Sequence, residues 1–170
     1  MVRSLLLLIS FATLAAWAGA QGPTPPLAPA DKMKLFKSNR VLIENLVNHG
    51  VELSASETSI ARASECRKTA VTLANYLERA AKDDQNPDRV SELAGLMGDV
   101  VRDGLVPIMD EAKDIPPDSP DGKRFAALRE TVVADLDNVR TGIPAGKVGD
   151  NAKVKAALAS LAELKSKFAK

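Results

Sequence analysis

From Asp31 onward, apolar residues recur at intervals of three and four through five successive segments. Proline, glycine or a short polar run breaks the pattern between one segment and the next. That period lines one side of an α-helix with apolar groups, whereas a half-buried strand needs alternation at every second residue. No alternation longer than a few residues occurs. The pattern predicts an all-α fold, an antiparallel bundle of four to five helices over residues 31–170, each burying its stripe against the others. Composition agrees with this. Aromatic residues make up 4% of the chain, few for a β-sandwich or barrel, while 45% apolar and 26% charged residues fit a folded domain.

The first helix is predicted from about Asp31, as its cap, to Asn48. Leu35, Phe36, Leu42, Ile43, Leu46 and Val47 form a broad stripe, His49 stands in the last turn and Gly50 offers a stop. The second starts at a capping-box pattern, Ser54-Ala55-Ser56-Glu57. It carries Ile60, Ala63, Cys66, Ala70, Leu73, Leu77 and Ala81 on one face, with Glu65, Arg67 and Lys68 elsewhere. Asn86-Pro87 opens the third, a cap followed by proline at the first helical position. Its stripe is Val90, Leu93, Met97, Val100 or Val101, Leu105 and Ile108, and Pro107 is expected to kink or end it. Gly95, Gly98 and Gly104 permit either close helix contact or local fraying. After a loop from Ile115 to Gly122, the fourth helix presents Phe125, Leu128, Val132, Leu136 and Val139. Asp150 is the expected cap of the fifth, whose face is Val154, Leu158, Leu161, Leu164 and Phe168.

The segment before these helices reads as an address. Arg3, the apolar run from Leu5 to Ala18 and the small residues Ala18-Gly19-Ala20 have the anatomy of a secretory signal peptide over residues 1–20, cleaved after Ala20. The alternative, an uncleaved anchor, needs about 20 apolar residues and finds fewer here. Residues 21–30 carry four prolines and read as an extended linker. The expected location is secreted or periplasmic, with no membrane insertion after signal cleavage. Loss of Arg3 with the signal leaves 22 basic against 22 acidic residues. A formally neutral chain has no net field to draw nucleic acid.

The inventory of reactive side chains is short. One cysteine and one histidine exclude an internal disulfide framework and Cys₄, Cys₂His₂ or His₃ metal sites within a single chain. His49 would need a carboxylate partner to act as a base or ligand. Glu44 and Glu52 are near in sequence, and the alternative is a partly exposed residue at a helix C-terminus. Cys66 shares an apolar face and is expected to be a buried small hydrophobe. Arg67 and Lys68 would activate an exposed thiol, and an intermolecular disulfide is the remaining alternative. Asp114, Asp118 and Asp121 lack the spacing of a calcium loop and read as a solvated turn ahead of a helix. Phosphate loops, nucleophile elbows and paired Glu-x-x-His motifs are absent from the sequence. No catalytic, cofactor-binding or metal-binding residue is assigned, and no enzyme activity is expected.

Pro117-Asp118-Ser119-Pro120, Phe125 early in a helix, and a last helix with Lys153-Val154-Lys155 and Leu164-Lys165 resemble the second half of the small periplasmic b-type cytochromes. Those are four-helix bundles related in fold to cytochrome c-prime. Leu73, Leu77, Val90 and Met97 can be laid on that family's first two helices, so the likeness covers residues 66–170. It implies a bundle and a periplasmic address. The family's haem lies between a methionine, which would fall near Ala70 here, and a histidine, which would fall just past Lys170. Asn39-Arg40, Leu42-Ile43, Leu46-Val47, Arg62-Ala63, Cys66, Leu73-Ala74, Glu92-Leu93 and Asp103-Gly104 are similar to a group of uncharacterised secreted bacterial helical proteins, which implies no activity. The expected function is a non-enzymatic module that binds a protein partner of unknown identity or fills a structural role. The alternative is an electron carrier holding haem non-covalently.

Overall fold

The structure, a computed structural model, describes residues 28–168. The expected signal peptide and nearly all of the proline-rich linker lie outside the described residues. The chain divides into two compact units, Met1–Ser38 and Asn39–Lys170. Of the first unit, the described part is the opening of helix α1, in which Met33 and Phe36 are exposed.

Six α-helices are present among the described residues: α1 Pro29–Ala55, α2 Ser59–Lys82, α3 Pro87–Asp99, α4 Val106–Glu111, α5 Pro120–Gly142 and α6 Ala152–Phe168. There is no strand among the described residues. A π-helical turn, Val100–Leu105, joins α3 to α4, and a short 3₁₀ turn, Ala112–Asp114, follows α4.

Several predicted boundaries move. α1 begins at Pro29, ahead of the expected Asp31 cap, and runs through Gly50 to Ala55. Gly50 does not adopt a left-handed conformation, so it cannot act as a helix stop. The Ser54–Glu57 capping box does not form. Ser54 and Ser56 instead donate to the carbonyls of Gly50 and Glu52. Thr58 caps α2, its hydroxyl accepting from Ala61 N–H at 3.2 Å. Asn86 caps α3 as expected, accepting from Arg89 N–H at 3.1 Å.

Pro107 neither ends nor breaks its helix. The turn before it widens, and Val106 N–H donates to the carbonyl of Val101, five residues back. The wider turn lets the helix continue past a residue without an N–H, a common use of a π-bulge. α5 starts at Pro120, earlier than expected, because Ser119 accepts from Gly122 N–H at 3.0 Å. A side chain at Gly122 would run into the Pro116 carbonyl, so this turn requires glycine. At α6 the cap is Asn151, whose side chain accepts from Lys153 N–H at 2.9 Å. Asp150 is instead drawn back to Gly146 N–H and to Lys155.

In the second unit α2 packs on α3 and α5, and α6 packs on the same two. The side-chain contacts give the directions. Lys153 meets Asp88 near the starts of α6 and α3, and Gly98 faces Leu161 and Leu164 farther along both, so these helices run parallel. Arg67 meets Asp135, and Glu78 lies against Gly142, so α2 and α5 also run parallel. The hairpins α2–α3 and α5–α6 are each antiparallel. The bundle is therefore two antiparallel hairpins laid side by side, with α3 and α5 on opposite corners. Ala112–Ser119 makes the diagonal connection.

The stripes meet where the periodicity puts them. Leu73, Leu77, Leu93, Met97, Leu105, Val132, Val139 and Val154 are among the most deeply buried side chains. Val101 rather than Val100 faces fully inward, and Leu158 and Leu164 are half-buried at the rim of the core.

Candidate functional site

Two features of α1 within the second unit stand out against this closed core. The first is polar and lies between α1 and α2. His49 contacts the Thr72 hydroxyl through Nε2 at 3.1 Å, and its Nδ1 stands 3.7 Å from Glu65 Oε2. Lys68 Nζ donates to the other carboxylate oxygen of Glu65 at 2.6 Å. Glu65 is only 9% exposed, and its Oε2 makes no hydrogen bond. A buried carboxylate oxygen without a donor is costly, and the adjacent imidazole is the group placed to offset it.

Proximity in sequence points to Glu44 or Glu52 as the histidine's partner and sets Glu65 on an outer, polar face. Instead, Glu65 and Thr72 sit along the flank of α2 that α1 covers, with Lys68 at its exposed edge. Their spacing of three and four residues, the signature of a shared helical face, is the signal that could have found them. Covering that flank turns an expected solvent-facing carboxylate into a buried one.

Cys66 faces the other way, into the core. Its thiol is buried and free. A side chain at Gly104 would approach Cys66 Sγ to 3.0 Å, so glycine lets the π-helical turn close against the sulfur. Burial, and then the neighbouring Glu65 carboxylate, push the thiol's pKa above its usual value. A nucleophilic cysteine needs the opposite shift and an open approach. Arg67, which would activate an exposed thiol, is turned to Asp135, with Nε to Oδ2 at 2.7 Å.

The second feature is apolar and faces outward. The broad α1 stripe read from the sequence divides in two. Leu42 is buried, and Leu46 and Leu53 are half-buried against the core. Ile43, Val47 and Val51 lie on the outer side and are 39%, 58% and 62% exposed. Spaced by four residues, they form a continuous strip on the helix. Arg40 and Glu44 border it and pair along the helix, Nε to Oε1 at 2.7 Å. Leu35 lies outside the described side chains.

The remaining candidates do not converge on a chemistry. Asp114, Asp118 and Asp121 are exposed, and Asp121 pairs with Arg124 at 3.2 Å. Among the described residues, no three His, Cys, Asp or Glu side chains gather as a metal site. A groove of about 360 Å³ runs between α3 and α6 past Gly95, Gly98 and Ser160. Another, of about 350 Å³, lies near Met109, Arg129 and Phe168. Neither holds a nucleophile paired with a base. The haem implied by the cytochrome resemblance finds no fitting donor set: Ala70, at the methionine's place, is a buried methyl group without a ligating atom. No helix of the described residues is long and apolar enough to cross a membrane.

Comparisons with protein-family models, with curated proteins and with solved structures found no match to this chain.

Proposed function

We propose that this is a secreted or periplasmic binding module without catalytic activity, and that its recognition surface is the outer face of α1. One observation carries the reading. The bundle closes its core with α1's inner side, and yet Ile43, Val47 and Val51 remain as an apolar strip that nothing in the described chain covers. Isolated apolar residues on a surface need no explanation, but a strip at regular helical spacing has the pattern of helix-in-groove or helix-on-helix recognition. The neutral charge balance favours a protein partner over nucleic acid. The His49–Glu65–Lys68–Thr72 cluster then has a positioning role, since it fixes α1 on α2 and so sets which face of α1 points outward.

The test is fractionation of a native envelope extract by size. The wild-type protein should migrate in a complex larger than one chain, and Val47→Asp should release it to the size of a single chain. Equal migration of the two proteins would overturn the reading. Export is checked by the intact mass of the mature protein, expected to lack residues 1–20.

A further inference from the structure

We infer that α1 is a proton-gated arm: protonation of His49 latches it onto α2, and loss of that proton loosens it. The device goes beyond the recognition reading, because the latch acts within one chain whether or not a partner is present.

For its length, α1 has little apolar hold on the second unit. Among its described side chains only Leu42 is buried, with Leu46 and Leu53 half-buried against the core. The neighbouring α2 buries nine residues. A segment with few buried apolar contacts opens at a lower free energy than the core it rests on. Polar contacts then decide how firmly it stays. Toward one end of the docked stretch Asn39 accepts from the Arg89 guanidinium of α3, and toward the other His49 meets Thr72 and Glu65 of α2.

Of these two contacts the second responds to pH. His49 is the sole histidine of the chain, and histidine is the side chain that ordinarily changes charge between about pH 5 and 8. The neutral ring has one N–H, which serves Glu65 Oε2 only while the Thr72 hydroxyl turns to donate to Nε2. The protonated ring donates to both neighbours. It also sets a full positive charge beside a carboxylate that is 9% exposed and whose Oε2 makes no hydrogen bond. A charge-assisted hydrogen bond is about twice as strong as a neutral one. Lys68 of α2 is the competing cation. It holds Oε1 at 2.6 Å from a side chain 56% exposed, so solvent screens it and it offsets the carboxylate only in part. Glu52 of α1 is exposed, and Asp99 and Asp103, on α3 and the π-helical turn, are exposed and paired with Arg102. The docked arm gains from the proton and the released arm does not. α1 is therefore held most firmly below the histidine range and loosens as pH rises through it.

Hydrogen exchange of the full chain, read by mass spectrometry at about pH 5.5 and about pH 8 and corrected for intrinsic rates, tests this. Protection of the amides of residues 39–55 should be about tenfold greater at the lower pH. The amides of α3 and α5 should hold steady, which shows that the bundle stays folded. His49→Gln removes the titrating ring and Glu65→Gln removes the carboxylate's charge at nearly constant size. Each should cut the change in α1 to less than about threefold. Lys68→Ala, at an exposed position, takes away the competing cation and should leave the change at about tenfold or more. Wild-type α1 that gains no protection at the lower pH, a gain that survives His49→Gln or Glu65→Gln, or a gain lost in Lys68→Ala would each overturn the proposal. The recognition face is judged separately. If the latch responds as stated but Val47→Asp changes nothing in the envelope extract, the face fails and the latch stands. If Val47→Asp releases the protein but α1 ignores pH, the latch fails and the face stands.

Discussion

A side chain at Gly104 would stand 3.0 Å from Cys66 Sγ, closer than a methyl group and a sulfur ordinarily pack. Gly104→Ala improves intrinsic helix propensity by up to about 1 kcal/mol but forces a carbon into the sulfur. Overlap with a buried, well-packed atom should win, so Gly104→Ala should destabilise the protein by about 1–2 kcal/mol. In a Cys66→Ala background the same change should become neutral or stabilising, a coupling of about 1 kcal/mol or more in a double-mutant cycle from urea unfolding. Additive effects would mean that the contact does not limit the size of residue 104. The thiol makes a pH prediction at the same place. Its folded pKa lies above the unfolded value, so the native state holds this proton more tightly. The contribution is complete below the unfolded pKa of about 8.5 and drains away as pH rises through the folded value. Stability measured from pH 7 to 10 should fall less steeply in Cys66→Ala than in wild type, and a thiol reagent at neutral pH should label the native protein much more slowly than the unfolded chain.

At the scale of helices, the caps separate what the sequence makes legible from what it hides. Asn86-Pro87 is readable because a cap and an N1 proline coincide there and nothing competes with them. Ser54–Glu57 carries the stronger motif, and yet Thr58 caps α2 without a glutamate at its third position. The difference lies in α1, which by its sequence should end at Gly50. Once α1 runs on to Ala55, Ser54 belongs to its last turn and is no longer free to start the next helix. Thr58→Ala should therefore cost about 1 kcal/mol, and Ser54→Ala should change stability by no more than a few tenths. Thermal unfolding of the two variants decides between the caps, and the reverse order would return the start of α2 to the Ser54 box. Pro107 is the other hidden element, because single-residue helix breaking is local whereas the π-helical turn that accommodates it takes six residues.

For the whole molecule, the stripes predict which residues meet but not which helices lie side by side. Apolar periodicity assigns an inner face to each helix, and short connections make successive helices antiparallel. Neither says that α3 and α5 take opposite corners, since the choice depends on the shapes of facing side chains and on cross-links such as Arg67–Asp135 and Lys153–Asp88. The site is still less legible: the contact of His49 with Glu65 joins two helices, and the outer strip of α1 emerges only when the inner one is seen to be used.

Leu136 tests the closed core as a unit. It is 4% exposed and belongs to the same apolar cluster as Leu73, Leu77, Met97, Val132 and Leu161, with Leu158 at its edge. Cutting it to alanine removes buried methyl groups and leaves a void between α5 and its neighbours. Helices held on two sides relax little into such a void, so Leu136→Ala should cost about 2–5 kcal/mol. A loosely packed core would collapse around the gap and register a cost nearer the transfer of the lost groups alone, toward the lower end of that range or below it. Urea unfolding reads the difference directly: the midpoint should fall while the slope with denaturant stays the same, because the folded state keeps its extent of burial. A near-neutral Leu136→Ala, or a slope that falls with it, would mean that the two hairpins do not share one close-packed interior.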